Sequence, residues 1–321
     1  RFPATVRIAT FNASLNRIDE GGLPRGLAAP DDRQAQRIAA VIQRVRPDVL
    51  LVQEFDYDDA GDSLASFARH YLEVPQSGSE PITYDFRFSA PVNTGVPSGL
   101  DLDRDGKVGG PGDALGFGFF PGQYGMAVYS RFPLAVARLR TFRNLLWSAM
   151  PDPALPTGWY SDQALATLRL SSKSHWDLPV ELPGGGSLHL LVSHPTPPVF
   201  DGPEDRNGRR NHDEIRLWSD YLSPARSRWI VDDQGRRGGL AQRASFIVMG
   251  DQNADPRDGD SYQGAISQLL EHPRIDASVA PRSEGGVSAA RRQRGANDRQ
   301  TGDPRQDTAD FADDGAAASG N

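Results

Sequence analysis

Short apolar runs separated by polar segments are the main pattern along most of the chain. Four of these runs have the length of a strand and are too short for a typical helix. They are residues 6–12, 48–54, 188–194 and 246–250. The last three are continuous rather than alternating, which is typical of strands buried on both faces.

One segment instead repeats apolar residues at helical spacing. Residues 33–45 place their apolar side chains on one face of a helix, and Asp32 stands where an aspartate caps a helix start. Pro47 ends the segment just before the second strand. The chain therefore opens as strand, helix, strand, which favours an α/β fold.

Further elements and the domain division follow from the same patterns. Helices are expected at residues 64–71 and 213–222, and strands at residues 124–134 and 164–170. Residues 75–123 form an insertion rich in Gly and Pro. From residue 281 the chain is rich in Arg, Gly, Asp and Ala and has few large apolar residues. We therefore expect a single domain over residues 1–280, followed by a loop or disordered segment over residues 281–321.

Composition narrows the possible classes of function. The 321 residues include 33 Gly and 25 Pro, and only 38% of them are hydrophobic, so much of the chain should be loop. A net charge of -7 argues against binding nucleic acid mainly through a basic surface. It is compatible with an enzyme that meets phosphate through a divalent cation. The absence of cysteine excludes disulfides, thiolate metal sites and a cysteine nucleophile.

Two observations concern localisation. No apolar run approaches the ~18 residues that a membrane span needs, so no transmembrane segment is predicted. The chain begins with Arg1 and not with Met, which suggests a removed leader. Secretion or a periplasmic location is the favoured expectation.

Polar side chains stand where the strand-like runs end. They are Asn12, Glu54, His194, Asp251 and Asn253. Each alone can be explained as a turn residue. Together they supply the groups that hold a hard cation and a water beside a phosphate, since carboxylate and amide oxygens suit Mg²⁺ or Mn²⁺ and imidazole donates a hydrogen bond to a phosphoryl oxygen.

The order of these motifs is similar to that of a known family. The sequence carries FN at Asn12, PDVLLVQE at Glu54, YGMAVYSRFP, VSHP at His194 and MGDQN at Asp251 and Asn253. This order resembles the endonuclease/exonuclease/phosphatase superfamily, which has the DNase I-like fold. The resemblance implies an α/β (α+β) four-layer sandwich of two packed mixed β-sheets flanked by helices. It also implies metal-dependent hydrolysis of a phosphodiester or phosphomonoester by in-line attack of water.

The resemblance also implies a role for each matched residue. Glu54 would be the main ligand of Mg²⁺ or Mn²⁺, with Asn12 close by. Asp251 and Asn253 would orient the attacking water and contact phosphate, and His194 would stabilise charge on the phosphoryl group. The substrate stays open among a small molecule, a lipid headgroup and a nucleic acid, because the superfamily includes nucleases, phosphatases and lipid phosphodiesterases. No partner protein is evident.

One family motif is absent from the sequence. Members of the superfamily end with a strand carrying Asp and then a Ser-Asp-His motif, whereas the last histidine here is His272. Three explanations compete: the chain is cut short, another residue substitutes, or the protein is a non-catalytic relative. We favour the first. The rival hypothesis for function is a non-catalytic, calcium-stabilised extracellular binding domain with the same fold.

Three alternating aspartates in the insertion resemble half of a calcium-binding loop. They are Asp101, Asp103 and Asp105, followed by Gly106, and the loop extends over residues 101–113. The Glu expected at its twelfth position is absent, since Gly112 stands there. The loop is therefore either a Ca²⁺ site that fixes the insertion or an acidic solvated turn.

Four basic residues are candidate contacts to substrate phosphate. Lys173 and His175 lie in a polar stretch just before the strand that ends at His194, and the alternative is an ordinary hairpin turn. Arg209 and Arg210 lie near a predicted helix start. Arginine binds phosphate well. The alternative is an ordinary helix start, in which Asp213 acts as a capping residue.

Overall fold

The computed structural model describes residues 5–309, and over this range eight strands form two four-stranded sheets. The first sheet contains β1 Ile8–Asn12, β2 Val49–Gln53, β3 Phe86–Ser89 and β4 Met126–Ser130. The second contains β5 Arg140–Thr141, β6 His175–Glu181, β7 Ser187–Ser193 and β8 Ser245–Met249. The strand orders are β1-β2-β4-β3 and β5-β6-β7-β8.

Helices surround the two sheets. In chain order they are α1 Gly22–Leu27, α2 Arg33–Val45, α3 Asp62–Phe67, α4 Asp162–Leu165, α5 Arg206–Tyr221, α6 Ser267–Leu270 and α7 Glu284–Gln293. A π-helical turn, Ala68–Leu72, continues α3. Short 3₁₀ turns occur at Pro111–Asp113, Val136–Arg138, Trp147–Ala149, Ser227–Trp229, Tyr262–Gly264 and Gly295–Arg299. The predicted cap of α2 is confirmed, since the Asp32 side chain accepts a hydrogen bond from the Ala35 N–H.

Each sheet contains one parallel pair whose two strands are connected through a helix. β1 pairs in parallel with β2 through α2, and β7 pairs in parallel with β8 through α5. The other pairings are antiparallel, so both sheets are mixed. Because parallel strands end at the same edge of a sheet, each pair brings two strand ends together.

Three apolar clusters explain why the strands read as continuous apolar runs. Val49 and Leu51 of β2 face the second sheet, where they pack in one cluster with Trp176 and other side chains. Leu50 and Val52 point the other way and pack with the helical layer of α1, α2 and α3. The third cluster joins the second sheet to α5. The layers are helices, sheet, sheet and helices, which confirms the predicted four-layer α/β sandwich.

Several element predictions are wrong in detail. Residues 164–170 do not form a strand, because the Ser161 side chain caps the short helix α4 by accepting from the Ala164 N–H. The helix predicted over residues 213–222 is observed as α5, which begins earlier, at Arg206. The insertion at residues 75–123 contains the unpredicted strand β3.

The segment after residue 281 is also more regular than predicted. It contains α7, which is capped by the Ser283 hydroxyl and buries Val287. Gly286 lies so close to the Pro304 carbonyl that a Cβ there would be 2.1 Å from its oxygen. The packing of α7 on the following segment explains why few large apolar residues suffice. Residues 310–321, which include the end of the predicted disordered tail, lie outside the described residues.

Candidate active site

The ends of the two parallel strand pairs meet where the sheets face each other. Asn12 ends β1 and Glu54 follows β2, whereas Asp251 follows β8 of the other sheet. The Asn12 Nδ2 donates to Glu54 Oε1 at 3.0 Å and to Asp251 Oδ2 at 3.1 Å. One amide therefore bridges two carboxylates that would otherwise repel each other, and it joins residues 239 positions apart.

A buried glutamine makes a second link between the sheets. The Gln53 Oε1 accepts hydrogen bonds from the Thr10 Oγ1 at 2.9 Å and from the Asp251 N–H at 2.8 Å. Gln53 is fully buried, so these two bonds fix the backbone of Asp251 against the first sheet. In the sequence, the role of Gln53 was indicated only by its position directly before Glu54 in the QE motif.

Gly250 allows the second sheet to deliver Asp251. Its φ of 129° lies in the region that side chains rarely adopt. A Cβ at this position would lie 1.8 Å from the Ser193 carbonyl oxygen. Only glycine therefore lets the end of β8 run this close to the end of β7, where His194 begins.

His194 lies beside Asp251 and is almost completely buried. Its Nε2 is 3.9 Å from Asp251 Oδ2, while its Nδ1 is buried and has no hydrogen-bond partner among the described residues. Burial, together with the nearby Lys173 charge, holds the pKa of His194 well below its usual value. The imidazole is therefore neutral near pH 7, and its Nε2 faces Asp251.

The turn after β8 is held by its own polar residues. The Asn253 N–H donates to Asp251 Oδ1 at 2.9 Å, and the Asn253 Nδ2 donates to the Pro195 carbonyl at 3.0 Å. Asn253 adopts a left-handed backbone with φ 48°, which asparagine tolerates better than most residues. The side chain thereby ties the segment after His194 to the segment after β8.

The loop after β2 is anchored by a buried carboxylate. Asp56 accepts hydrogen bonds from the N–H groups of Arg17, at 2.7 Å, and Tyr124, at 3.0 Å. Burial raises the pKa of Asp56 to about 6. Glu54, two residues earlier, has a left-handed φ of 54°, so this anchored turn aims its carboxylate at Asn12 and not along the strand.

Lys173 is the predicted basic residue that the structure places at the site. Its side chain is buried, and its Nζ makes no hydrogen bond or ion pair within residues 5–309. Burial lowers the pKa of Lys173, while the carboxylates of Glu214, Glu54 and Asp251 oppose that shift. An ammonium without a fixed partner therefore lies near both site carboxylates.

The structure does not place the other three basic candidates at the site. Both nitrogens of buried His175 are in use, with the Ser171 hydroxyl at 2.6 Å and the Glu214 carbonyl at 2.8 Å. Arg210 is buried and donates to the carbonyls of Leu170, Leu115 and Arg169.

Arg209 is also directed elsewhere. It donates to the Glu204 carbonyl at 3.0 Å and to the Tyr262 hydroxyl at 3.2 Å, and it lies over the Tyr262 ring. The prediction that His175, Arg209 and Arg210 bind phosphate therefore has no support in the geometry. Sequence position gave no information about which helix face these arginines occupy.

Two residues on the inner face of α5 position the site loops. The buried Asn211 Nδ2 donates to the carbonyls of Thr196, Gln252 and Asn253 at 2.9, 2.9 and 3.2 Å. The buried Glu214 carboxylate accepts from the N–H groups of Ser172 and Thr196, both at 2.5 Å. This polar inner face also explains why hydrophobic periodicity missed the first turns of α5.

The donor set fits a hard divalent cation. Glu54 and Asp251 offer carboxylate oxygens, whereas Asn12 turns its Nδ2 to them and its Oδ1 accepts from the Ser14 N–H at 3.1 Å. Mg²⁺ and Mn²⁺ bind through one or two carboxylates and fill their other positions with water and substrate phosphate. Asp251 is partly exposed, with 29% of its side chain accessible, so water can reach the cluster.

The aspartate loop of the insertion is a separate acidic cluster. One carboxylate oxygen from each of Asp101, Asp103 and Asp105 lies within 4.8 Å of the others. Asp101 Oδ2 accepts from the Gly106 N–H, whereas Asp101 Oδ1 is buried with no partner among the described residues. Asp113, one position past the expected glutamate, binds backbone N–H groups of the loop. Ca²⁺ binding stays a prediction, which a Ca²⁺-dependent shift in melting temperature would check.

A solved structure of low sequence identity shares the fold. An endonuclease/exonuclease/phosphatase protein from Beutenbergia cavernae is 18% identical with a TM-score of 0.50, and the alignment covers 92% of this chain and 62% of that chain. This chain thus spans less than two thirds of that relative, and the likeness shows the fold alone. Sphingomyelinase C from Streptomyces griseocarneus is 16% identical, with 82% and 69% of the two chains covered and a TM-score of 0.42.

Sequence comparison identifies the family. No curated protein sequence is significantly similar to this chain. Beta toxin from Staphylococcus aureus is a further structural neighbour at 11% identity, with 83% and 71% of the two chains covered and a TM-score of 0.42.

In the described range no helix is long and apolar enough to cross a membrane. The sequence model of the endonuclease/exonuclease/phosphatase family matches residues 9–315, almost the whole chain, and the chain therefore belongs to that family.

Proposed function

We propose that the protein is a metal-dependent phosphoesterase that hydrolyses a phosphodiester or phosphomonoester by in-line attack of water. Members of the family are typically metal-dependent phosphoesterases. The observation that carries the proposal is the Asn12 amide, which holds Glu54 of one sheet and Asp251 of the other in one cluster. A polar link of this kind across the sandwich is not required by packing, because the apolar cluster between the sheets already joins them.

Glu54 would hold Mg²⁺ or Mn²⁺ at the end of the first sheet, and Asn12 would join it by turning its Oδ1 from the Ser14 N–H to the ion. When bound, the cation supplies Lewis-acid stabilisation of charge on a phosphoryl oxygen. Asp251 has one carboxylate oxygen held by the Asn253 N–H and the other by Asn12, so its orientation is fixed from both sides. A carboxylate fixed in this way can orient a water molecule for attack on phosphorus.

The remaining residues would meet the charge that develops on the phosphoryl group. Neutral His194 would donate a hydrogen bond from Nε2, in a site where donors need no reorganisation. The Lys173 ammonium has no hydrogen-bond or ion-pair partner within residues 5–309 and would meet a phosphate oxygen. Asn253 would contact phosphate, and we assign it a positioning role as well, through its bond to the Pro195 carbonyl.

Hydrolysis of bis(p-nitrophenyl) phosphate by the full-length protein, with Mg²⁺ or Mn²⁺ and with EDTA, tests the proposal. EDTA should abolish activity. Glu54→Gln and Asp251→Asn should each lower kcat at least about a hundredfold, because several kcal/mol of charge stabilisation are lost. Glu80→Gln, which changes an exposed glutamate, is the matched control. Retained activity in either site variant would show that the site is misplaced.

The rival hypothesis predicts a different outcome of the same experiment. A non-catalytic, calcium-stabilised extracellular binding domain would show no metal-dependent hydrolysis, while Ca²⁺ would still raise its melting temperature. Secretion or a periplasmic location stays a prediction in both cases.

A further inference from the structure

Arg143 carries a guanidinium group without a partner. Its Nε is buried and unbonded, and its side chain forms no hydrogen bond or ion pair within residues 5–309. The side chain as a whole is half-buried. A buried donor that water does not reach is costly when nothing accepts its hydrogen, so this arrangement needs an explanation.

The backbone of Arg143 is held firmly, so the missing partner does not result from a loose loop. The Arg143 N–H donates to Asp233 Oδ2 at 3.0 Å. The Arg143 carbonyl accepts from the Nδ2 of fully buried Asn93 at 2.8 Å. The guanidinium is therefore presented from a fixed position.

A second arginine shares a hydrogen-bond partner with the first. The Arg169 Nη1 donates to Asn93 Oδ1 at 2.6 Å, so the same asparagine holds both arginines. Burial lowers the pKa of Arg169, and the Arg143 charge lowers it further. Asp233 is near the pair, but its carboxylate accepts from the Thr141 hydroxyl and from backbone N–H groups and forms no ion pair with either arginine.

The two arginines lie close to a segment of the candidate active site. The Asn93 N–H donates to the Lys173 carbonyl at 2.9 Å, so the pair lies next to the segment that delivers Lys173. Burial raises the pKa of Tyr57, and the nearby Arg143 charge opposes this rise. Tyr57 follows Glu54 by three residues. The Arg143 charge is thus near the loop after β2, and Asn93 joins the Arg143 backbone to the Lys173 segment.

We propose that Arg143 and Arg169 form a second anion site, which binds a further phosphate group of the substrate beside the phosphoester that is hydrolysed. The inference rests on the proposed function. A guanidinium presents donors in a fixed fork that matches two phosphate oxygens. Two arginines that share Asn93 and form no ion pair with a carboxylate within residues 5–309 favour a group of charge -2 over a single negative charge.

Competition against bis(p-nitrophenyl) phosphate tests the second site, because this reporter has one negative charge and no further phosphate. The competitors are matched pairs: the dinucleotide TpT with and without a 5′-phosphate, and glycerophosphoinositol with and without a ring phosphate. In at least one pair the added phosphate should lower Ki by roughly ten- to a hundredfold, as charge-assisted hydrogen bonds do. The pair that responds identifies the source of the phosphate. No preference in either pair would overturn the proposal.

Variants separate binding by Arg143 from a structural role. Arg143→Gln should remove most of the preference for the added phosphate, and Arg143→Lys should retain part of it. Both should leave kcat for the reporter within about twofold. Arg33→Gln, which removes an exposed charge elsewhere, should change neither quantity. Equal loss for reporter and competitor in Arg143→Gln would overturn the proposal.

A calorimetric readout keeps the two proposals distinguishable. If the wild-type protein hydrolyses no phosphodiester, the proposed function fails. Calorimetric titration with the same matched pairs then still measures the preference for the added phosphate. Tighter binding of the phosphorylated member, lost in Arg143→Gln, would support the second anion site on its own.

Discussion

Gly250→Ala should destabilise the protein and displace Asp251. An alanine Cβ would lie 1.8 Å from the Ser193 carbonyl oxygen, whereas ordinary contact begins at 3.4 Å, so the ends of β7 and β8 must separate by roughly 1.6 Å. The φ of 129° adds backbone strain. Strain and overpacking together should lower the free energy of unfolding by about 2–5 kcal/mol.

Urea unfolding measures this loss, and a second glycine supplies the control. Gly185 also has a positive φ, 98°, but a Cβ there would meet nothing within 4 Å. Gly185→Ala should therefore show only the backbone component, about 1–3 kcal/mol. Gly250→Ala should in addition reduce kcat for bis(p-nitrophenyl) phosphate, since Asp251 is the next residue, whereas Gly185→Ala should not. Equal loss of stability and unchanged kcat in both variants would refute the role given to Gly250.

Three further predictions concern single side chains. Asn211→Leu removes the donor that three loop carbonyls share. It should lower the free energy of unfolding in urea by about 1–3 kcal/mol and should also lower kcat. Unchanged stability would contradict this prediction. Lys173→Met should lower kcat/KM at least about tenfold. It should not lower the free energy of unfolding, because the substitution removes a buried charge that has no partner. A loss of stability would indicate a structural role. Burial, with two nearby arginines, lowers the pKa of His272, so its stabilisation is complete above about pH 6.5 and is lost as pH falls below it. His272 should therefore contribute up to about 1.4 kcal/mol per pH unit to the loss of stability there, and His272→Asn should reduce the slope of the wild type in denaturation curves at several pH values.

The strands were predictable from sequence where both of their faces are apolar. Successive side chains of β2 point in turn to the cluster between the sheets and to the cluster under the helices. Every residue of the strand is therefore buried, and its apolar run is continuous. β6 was missed because His175 and Asp177 lie at its start, and their polar groups bind tertiary partners, Glu214 and Tyr221, that the local sequence does not reveal.

The site was predictable where its residues end strands. The carboxyl end of a strand fixes where the next residue lies, and for this reason Asn12, Glu54 and Asp251 could be expected to meet. The groups that position them are different. Gln53 and Asn211 act through buried hydrogen bonds over long sequence separations, and such bonds follow from the packing of whole elements rather than from any local pattern.

Anomalous scattering from crystals soaked with Mn²⁺ and inorganic phosphate tests the central claim most directly. The account predicts an anomalous peak bound by the Glu54 carboxylate, next to Asn12 and Asp251, with phosphate within reach of His194 and Lys173. A metal peak confined to the Asp101, Asp103 and Asp105 loop, with none at Glu54, would contradict the proposed active site.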